Sequence, residues 1–413
     1  MKKMFSSLLS FTLSAAVLTG GCLSASAQET DTEFEPIALT LGELEETPWL
    51  SGGIALLSDE EDDGSYYYGD ALDANNRAVY DALMKLRTPS TDKITITLPE
   101  PATFTTSTNI TALFSDDEVE TYTLAVFGNC KPGIDSLLFD HPEIFWFDAA
   151  NSNIAVGSDT KVSRKSAGVY QWTINSIAIT PNYSSGYSSL NDVNDYKERL
   201  EEAVEEFAVP YDTRYETIKA LHDKISEFTY YDTAATFSDS PVGAVVEPGV
   251  VCEGYSEAFK LCCDSLGIPC VLVFGNYNTT ANTAHMWNYV QMEDGKWYAV
   301  DVTWDDLDNE SVLKYTYLLK GSESFNTNHT PSSDYNITQF TYPELSKEDY
   351  VFTAPVEYQT GDLNRDSELS VADLVYCSNA VLGEAVEYSC DVNGDEKTNT
   401  FDLIFMRKLI FPA

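Results

Sequence analysis

The sequence predicts an α+β chain that ends in a small all-α unit. Three observations lead there. Between about residues 65 and 345, apolar residues recur at helical spacing in some stretches and alternate in others, the two periods of helix and strand. The segment "GVVCEGYSEAFKLCCDSLGIPC" (249–270) joins a helical apolar stripe to a strand-like run. Beyond residue 360, a twelve-residue acidic pattern occurs twice, starting at Asp362 and Asp391, each followed by a short apolar helix pattern.

Taken in order, residues 1–27 read as a secretory signal. Lys2 and Lys3 form its basic start, Leu8–Leu18 its apolar stretch, and Ala25-Ser26-Ala27 its cleavage site. The apolar part is too short to span a bilayer permanently, and no later stretch is apolar enough to cross one. The chain is therefore expected to be secreted and extracellular, with no membrane partner. Residues 28–64 are acidic and aperiodic, ending in "SDEEDDG", and read as a disordered linker. Residues 65–205 read as an accessory α+β region. "NNRAVYDALMKL" and "VNDYKERLEEAVEEFA" are helical there, and "ITITLP" and "YQWTINSIAI" alternate as strands. The run Phe145-Trp146-Phe147 reads as core. Residues 206–345 hold the cysteine helix and the strands after it. Residues 346–360 form a short linker, and 361–413 the C-terminal unit.

The chain carries 66 acidic and 24 basic side chains, a formal charge of −42. That balance argues against nucleic acid and anionic membranes as partners. Of its eight cysteines, all but Cys22 lie beyond the signal. An odd number in a secreted chain leaves at least one free thiol. The gaps between Cys252, Cys262, Cys263 and Cys270, with no histidine among them, do not fit a structural zinc site.

In the cysteine segment, Tyr255, Ala258, Phe259, Cys262 and Leu266 share one helical stripe, and Glu253, Glu257 and Lys260 are expected on the wet side. Gly267 and Pro269 stop the helix. Cys262 and Cys263 read as helix residues, and Cys270 opens the apolar run Val271–Phe274. Cys252 stands apart because it lies at the helix start, where unpaired N–H groups and the helix dipole favour a thiolate.

A cysteine nucleophile needs a base, and the base an orienting group. "TAHMWNYVQMEDGKWYAVDVTWDD" places His285 at the start of one strand and Asp301 in the next. With a two-residue Asp294-Gly295 loop, Asp301 lies opposite Asn288 and faces away from His285. With a three-residue Glu293-Asp294-Gly295 loop, Asp301 lies opposite Trp287 and shares a face with His285. The alternative to a catalytic pair is a strand histidine that merely satisfies a neighbouring aspartate. His222, in "IKALHDKISEFTYYD", reads as helix packing.

Together "GVVCEGYSEAFKLCCDSLGIPC", "AHMWNYV" and "KWYAVDVTWDD", with "IKALHDKISEFTYYD" upstream, resemble the transglutaminase-like superfamily over roughly 210–320. The resemblance implies a papain-like fold, with Cys252 as nucleophile, His285 as general base and Asp301 as its orienter. It also implies an oxyanion stabiliser that includes the Cys252 backbone N–H, and a protein or peptide substrate. Within the family, water as acceptor gives a peptidase or amidase, and a lysine amine gives protein cross-linking.

"DLNRDSELSVAD" (362–373) and "DVNGDEKTNTFD" (391–402) each place oxygen ligands as a calcium loop does. The side-chain set is Asp362, Asn364, Asp366 and Asp373, then Asp391, Asn393, Asp395 and Asp402. Glu368 and Lys397 offer backbone oxygens at the seventh place, and Ser370 and Asn399 stand at the ninth. The expected cofactor is two structural Ca2+ ions. This unit resembles a type I dockerin over 361–413, which implies a scaffoldin cohesin as partner and a cellulosome setting. It departs from that pattern at the sixth loop place, where Ser367 and Glu396 replace Gly. A non-glycine residue in a left-handed turn costs on the order of 1 kcal/mol. Val371-Ala372 and Thr400-Phe401 sit where cohesin contacts are expected. The repeat makes Cys390 equivalent to Gly361 and Cys377 to Met406, so Cys377 and Cys390 are candidates to meet and form a bridge.

Three functions fit these readings. The chain is a scaffold-borne cysteine peptidase or amidase, a cross-linking transglutaminase on the same triad, or a non-catalytic binding component linked to polysaccharide breakdown.

Overall fold

The computed structural model describes residues 38–40, 67–277, 283–306, 314–335, 337–354 and 358–412. The expected signal segment lies outside them. The chain divides into two units, 1–350 and 351–413.

Within the stretch read as a disordered linker, Ala38–Thr40 (β1) is a strand. This corrects the linker at those three residues, which are uncharged within an acidic stretch and complete the main-chain pairing of a sheet edge. Helix α1, Ala74–Leu83, is capped by Asp73, whose carboxylate accepts the N–H groups of Asn75 and Asn76. Strand β2, Ile94–Thr106, shifts register between Thr97 and Ala102. Pro99 and Pro101, which have no N–H to give the ladder, fall in that interval. Helices α2, Asp116–Phe127, and α3, Lys131–Asp140, precede strands β3, Asn153–Val156, β4, Lys161–Ser166, and β5, Val169–Thr180. The sheet runs β1-β3-β5-β2, with β4 also paired to β5.

Helices α4, Leu190–Phe207, α5, Arg214–Phe228, α6, Pro241–Val245, and α7, Cys252–Ser265, follow. A second, antiparallel sheet is built from β6, Cys270–Tyr277, β7, Ala284–Gln291, β8, Trp297–Val300, and β9, His329–Pro331, in the order β8-β7-β6-β9. Between β8 and β9 lie the short helices α8, Val302–Asp305, and α9, Ser322–Phe325.

Residues 65–205 are not a separate accessory domain. One apolar core runs from Val79 and Trp146 through Phe259 and Val290 to Leu319. Phe145-Trp146-Phe147, read as core, is fully buried in it. Polar contacts also cross the expected boundary: the Tyr68 hydroxyl donates to the Leu272 carbonyl, and the Thr338 hydroxyl to the Asp135 carboxylate. The apolar faces of 65–205 thus find their cover on the cysteine half. The expected linker is corrected at its start, up to Tyr350, because Asp349 accepts from Lys320 and the Gly321 N–H and Tyr350 packs on the core.

Helix α7 has no wet side over most of its length. Glu253, Glu257 and Lys260 are 3–4% exposed, because α4, α5 and α6 as well as β6 and β7 pack around the helix. Lys260 is satisfied by Asp264 at 2.9 Å and the Cys270 carbonyl at 3.0 Å. Burial holds the carboxyls of Glu253 and Glu257 well above the ordinary range. The stop was read correctly: Gly267 follows the helix at φ 65°.

Gly275 is where β9 meets β6. A Cβ there would lie 2.3 Å from the Thr330 carbonyl oxygen and 2.5 Å from the Trp287 ring. Gly275→Ala is therefore expected to destabilise the first unit by about 1–3 kcal/mol, as overpacking does. A urea melt checks this, and an unchanged midpoint would contradict the close approach.

In the second unit, helices α10, Val371–Val381, and α11, Thr400–Ile410, enclose a small core of Leu363, Cys377, Cys390 and Met406. The repeat is visible in the packing. Gly361 lies against Met406, as its equivalent Cys390 lies against Cys377, so each loop start meets the helix of the other half. The two thiols are free, and the bridge expected as a candidate is not formed.

Candidate active site

Cys252 is the first residue of α7, and its N-cap, Val251, has no polar side chain to cover the first-turn N–H groups. Main-chain bonds hold the approach to it. Val250 N–H donates to the Tyr230 carbonyl and Asp232 N–H to the Val250 carbonyl, both at 3.0 Å. These bonds set the Tyr230-Tyr231-Asp232 segment beside Cys252.

The hairpin adopts the three-residue loop. Met292 N–H pairs with the Lys296 carbonyl, and Gly295 stands at φ 75°, a left-handed position suited to glycine. The ladder pairs Asn288 with Val300, which sets Asp301 opposite Trp287. Asp301 lies one residue beyond β8 rather than within it, and caps α8 by accepting the Trp304 N–H. His285 Nε2 is 2.7 Å from Asp301 Oδ2, and Cys252 lies near enough to the same imidazole to act on its charge. With Nε2 on Asp301, Nδ1 is the ring nitrogen left to serve a thiol. All three side chains are buried.

Burial opposes a charge on His285, but Asp301 and then Cys252 raise its pKa to about 10. Burial also opposes the Asp301 carboxylate, yet His285 and His329 hold its pKa at about 2. The histidine contribution to stability is full below its ordinary 6.5 and is lost as pH rises through about 10. The aspartate contribution is full above 3.8 and is lost as pH falls through about 2. The imidazolium–carboxylate pair is therefore expected to persist at neutral pH. An NMR titration of the His285 ring should find its midpoint several units above that of a free histidine, and a midpoint near 6.5 would contradict this.

Of the other histidines, His222 is a buried residue of α5 beside Asp223 and Asp305, in the packing role read for it. His329 was missed. Its Nε2 lies 3.0 Å from Asp301 Oδ2. No local motif marks it, and the only signal in the sequence was its membership in a set of four histidines. Among the described residues, His285, Asp301 and His329 bring their ligand atoms within 4.8 Å of one another. The nitrogen-to-oxygen separations of 2.7 and 3.0 Å are those of direct hydrogen bonds.

The C-terminal loops are two copies of one hydrogen-bonded form. Asp362 accepts the N–H groups of Asp366 and Ser367, and Asp391 those of Asp395 and Glu396. Asn364 and Asn393 each accept the N–H two residues on, as do Asp366, toward Glu368, and Asp395, toward Lys397. Asp373 and Asp402 are fully buried and accept three N–H groups apiece. Ser370 and Asn399 cap α10 and α11. Ser367 and Glu396 stand at φ 68° and 64°, the left-handed sixth place. The donor set is all oxygen, as a hard cation requires.

Residues 201–302 match the model of the transglutaminase-like superfamily, a span that contains Cys252, His285 and Asp301. The chain thus carries a transglutaminase-like domain. It is similar to a solved TGase at 12% identity, over 53% of this chain and 55% of that one, with a TM-score of 0.26. It is also similar to the periplasmic domain of TgpA from Pseudomonas aeruginosa bound to ethylmercury, at 13% identity over 37% and 72% of the two chains, TM-score 0.22. A candidate cysteine protease from Cytophaga hutchinsonii matches at 16% identity over 51% and 74%, TM-score 0.22. The chain spans about half the length of the first of these. No curated protein matches the chain. Among the described residues, no helix is long and apolar enough to cross a membrane.

Proposed function

We propose that the chain is a secreted cysteine peptidase or amidase acting through Cys252, His285 and Asp301. The observation that carries this reading is the buried His285–Asp301 hydrogen bond beside Cys252, the first residue of a buried helix. An imidazolium beside a thiol favours the thiolate. The Cys252 sulfur then attacks the substrate carbonyl carbon, forming the C–S bond while the carbonyl electron pair moves to oxygen. The Cys252 backbone N–H, at the helix N-terminus, faces the developing charge. Collapse breaks the C–N bond, and the departing amine takes the proton from His285. Water, deprotonated by His285, then releases the acyl group and regenerates the thiol.

The second part of the proposal is that residues 361–413 are a dockerin that binds two Ca2+ ions and a cohesin. The ions would be held by Asp362, Asn364, Asp366, Asp373 and the Glu368 carbonyl, and by Asp391, Asn393, Asp395, Asp402 and the Lys397 carbonyl. Val371 and Phe401, 52% and 68% exposed, are the apolar residues offered at the helix starts.

Incubating the wild type and Cys252→Ala with a panel of peptides and proteins, with a labelled amine present, tests the enzymatic reading. Peptide release that depends on Cys252 is expected. Cys252-dependent amine incorporation without release would turn the reading to cross-linking. No product from either would turn it to a binding component.

A further inference from the structure

We infer that His329 is a positioning residue that holds Asp301 in the one orientation His285 needs. The inference rests on the triad proposed above. Asp301 Oδ2 accepts from two imidazoles, His285 Nε2 at 2.7 Å and His329 Nε2 at 3.0 Å, and Oδ1 accepts the Trp304 N–H at 3.2 Å. The terminal torsion of an aspartate is broad, so one donor alone leaves the carboxylate free to exchange its oxygens. Donors from three separate elements fix it, and they meet the charge of a buried carboxylate.

His329 is itself rigidly held. It opens β9, opposite Tyr277 of β6, and is fully buried. Its ring lies flat on Phe325, with centroids 4.0 Å apart and planes 19° apart, and Trp304 closes over it at 4.6 Å. Nδ1 is 2.8 Å from Asn328 Oδ1, and the Asn328 amide nitrogen donates to the Tyr317 hydroxyl at 2.9 Å. Asn328 at Nδ1 and Asp301 at Nε2 flank the imidazole, and Phe325 and Trp304 lie against its faces. To act as described, His329 must carry a proton on Nε2, as His285 does toward the same oxygen. Outer partners of this kind change activity by about 10–100-fold where they have been removed from other sites.

The test compares the wild type, His329→Gln and His329→Met in the full chain. The glutamine amide nitrogen reaches the place of Nε2 and can donate, whereas methionine fills the space without a donor. The readout is the second-order rate of iodoacetamide reaction at Cys252, measured by peptide mapping at neutral pH, with a urea melt of each protein. We expect His329→Met to lose about tenfold or more in rate while His329→Gln keeps most of it. Equal rates in all three, or equal losses in both variants, would overturn the inference. Because a packing change could unfold a variant, nitrogen NMR of the wild-type rings is read alongside: His329 Nε2 should be protonated at neutral pH, and an unprotonated Nε2 overturns the inference without any mutation. Failure of the wild type to label Cys252 preferentially would instead sink the triad itself.

Discussion

Cys252→Ala is expected to reduce turnover by about 10,000-fold or more, the scale on which triads lose activity when their nucleophile is removed. The fold should survive. Only one sulfur is deleted at the first position of α7, a loss of about 1 kcal/mol or less in packing. Asp301→Asn is expected to cost a similar factor for a different reason. The amide has no charge to hold the imidazolium, and its NH2 group must face either the Trp304 N–H or the two imidazoles, so His285 loses its tautomer and its aim. Steady-state rates on whichever peptide is released by the wild type check both. Full activity in Cys252→Ala would remove the thiol from the mechanism.

Chelation of calcium should have the largest effect on structure. Among its described residues the C-terminal unit has four buried core side chains, Leu363, Cys377, Cys390 and Met406, too small a core to hold a domain of this size without help. Asp362, Asp366 and Asp373 converge on one loop, and Asp391, Asp395 and Asp402 on the other. A cation that neutralises each set supplies folding free energy directly. Excess EDTA is expected to melt α10 and α11, which circular dichroism reads, and to abolish cohesin binding. The reactivity of Cys252 should be untouched. Helices that persist in EDTA would count against a calcium-dependent fold.

Features written into consecutive residues were the legible ones. The hairpin register could be reasoned because Gly295 sits where a three-residue loop needs a left-handed residue, and Asp301 then falls opposite Trp287. The two acidic loops were legible because every contact within them spans ten residues or fewer. What escaped depends on contacts distant in sequence. Glu253, Glu257 and Lys260 have the composition of a wet helix face, and only the packing of α4, α5 and α6 over α7 shows that the face is covered. The aromatic run at 145–147 was legible as core, but its being one core with the cysteine half was not, since composition does not say which apolar faces meet. His329 lies 28 residues beyond Asp301 on a three-residue strand, and no periodicity connects the two.

The most direct test of the central claim is the alkylation rate of each cysteine in the intact protein at neutral pH. Burial alone does not single out Cys252, because all seven described cysteines are buried and free. What sets it apart is the neighbouring His285 imidazole. Burial pushes the thiols of Cys130, Cys262 and Cys263 up, and that of Cys377 to about 11. Cys252 is therefore predicted to react with iodoacetamide much faster than the other six, and to lose that advantage in His285→Ala. Equal labelling of the seven, or a Cys252 rate indifferent to His285, would contradict the account.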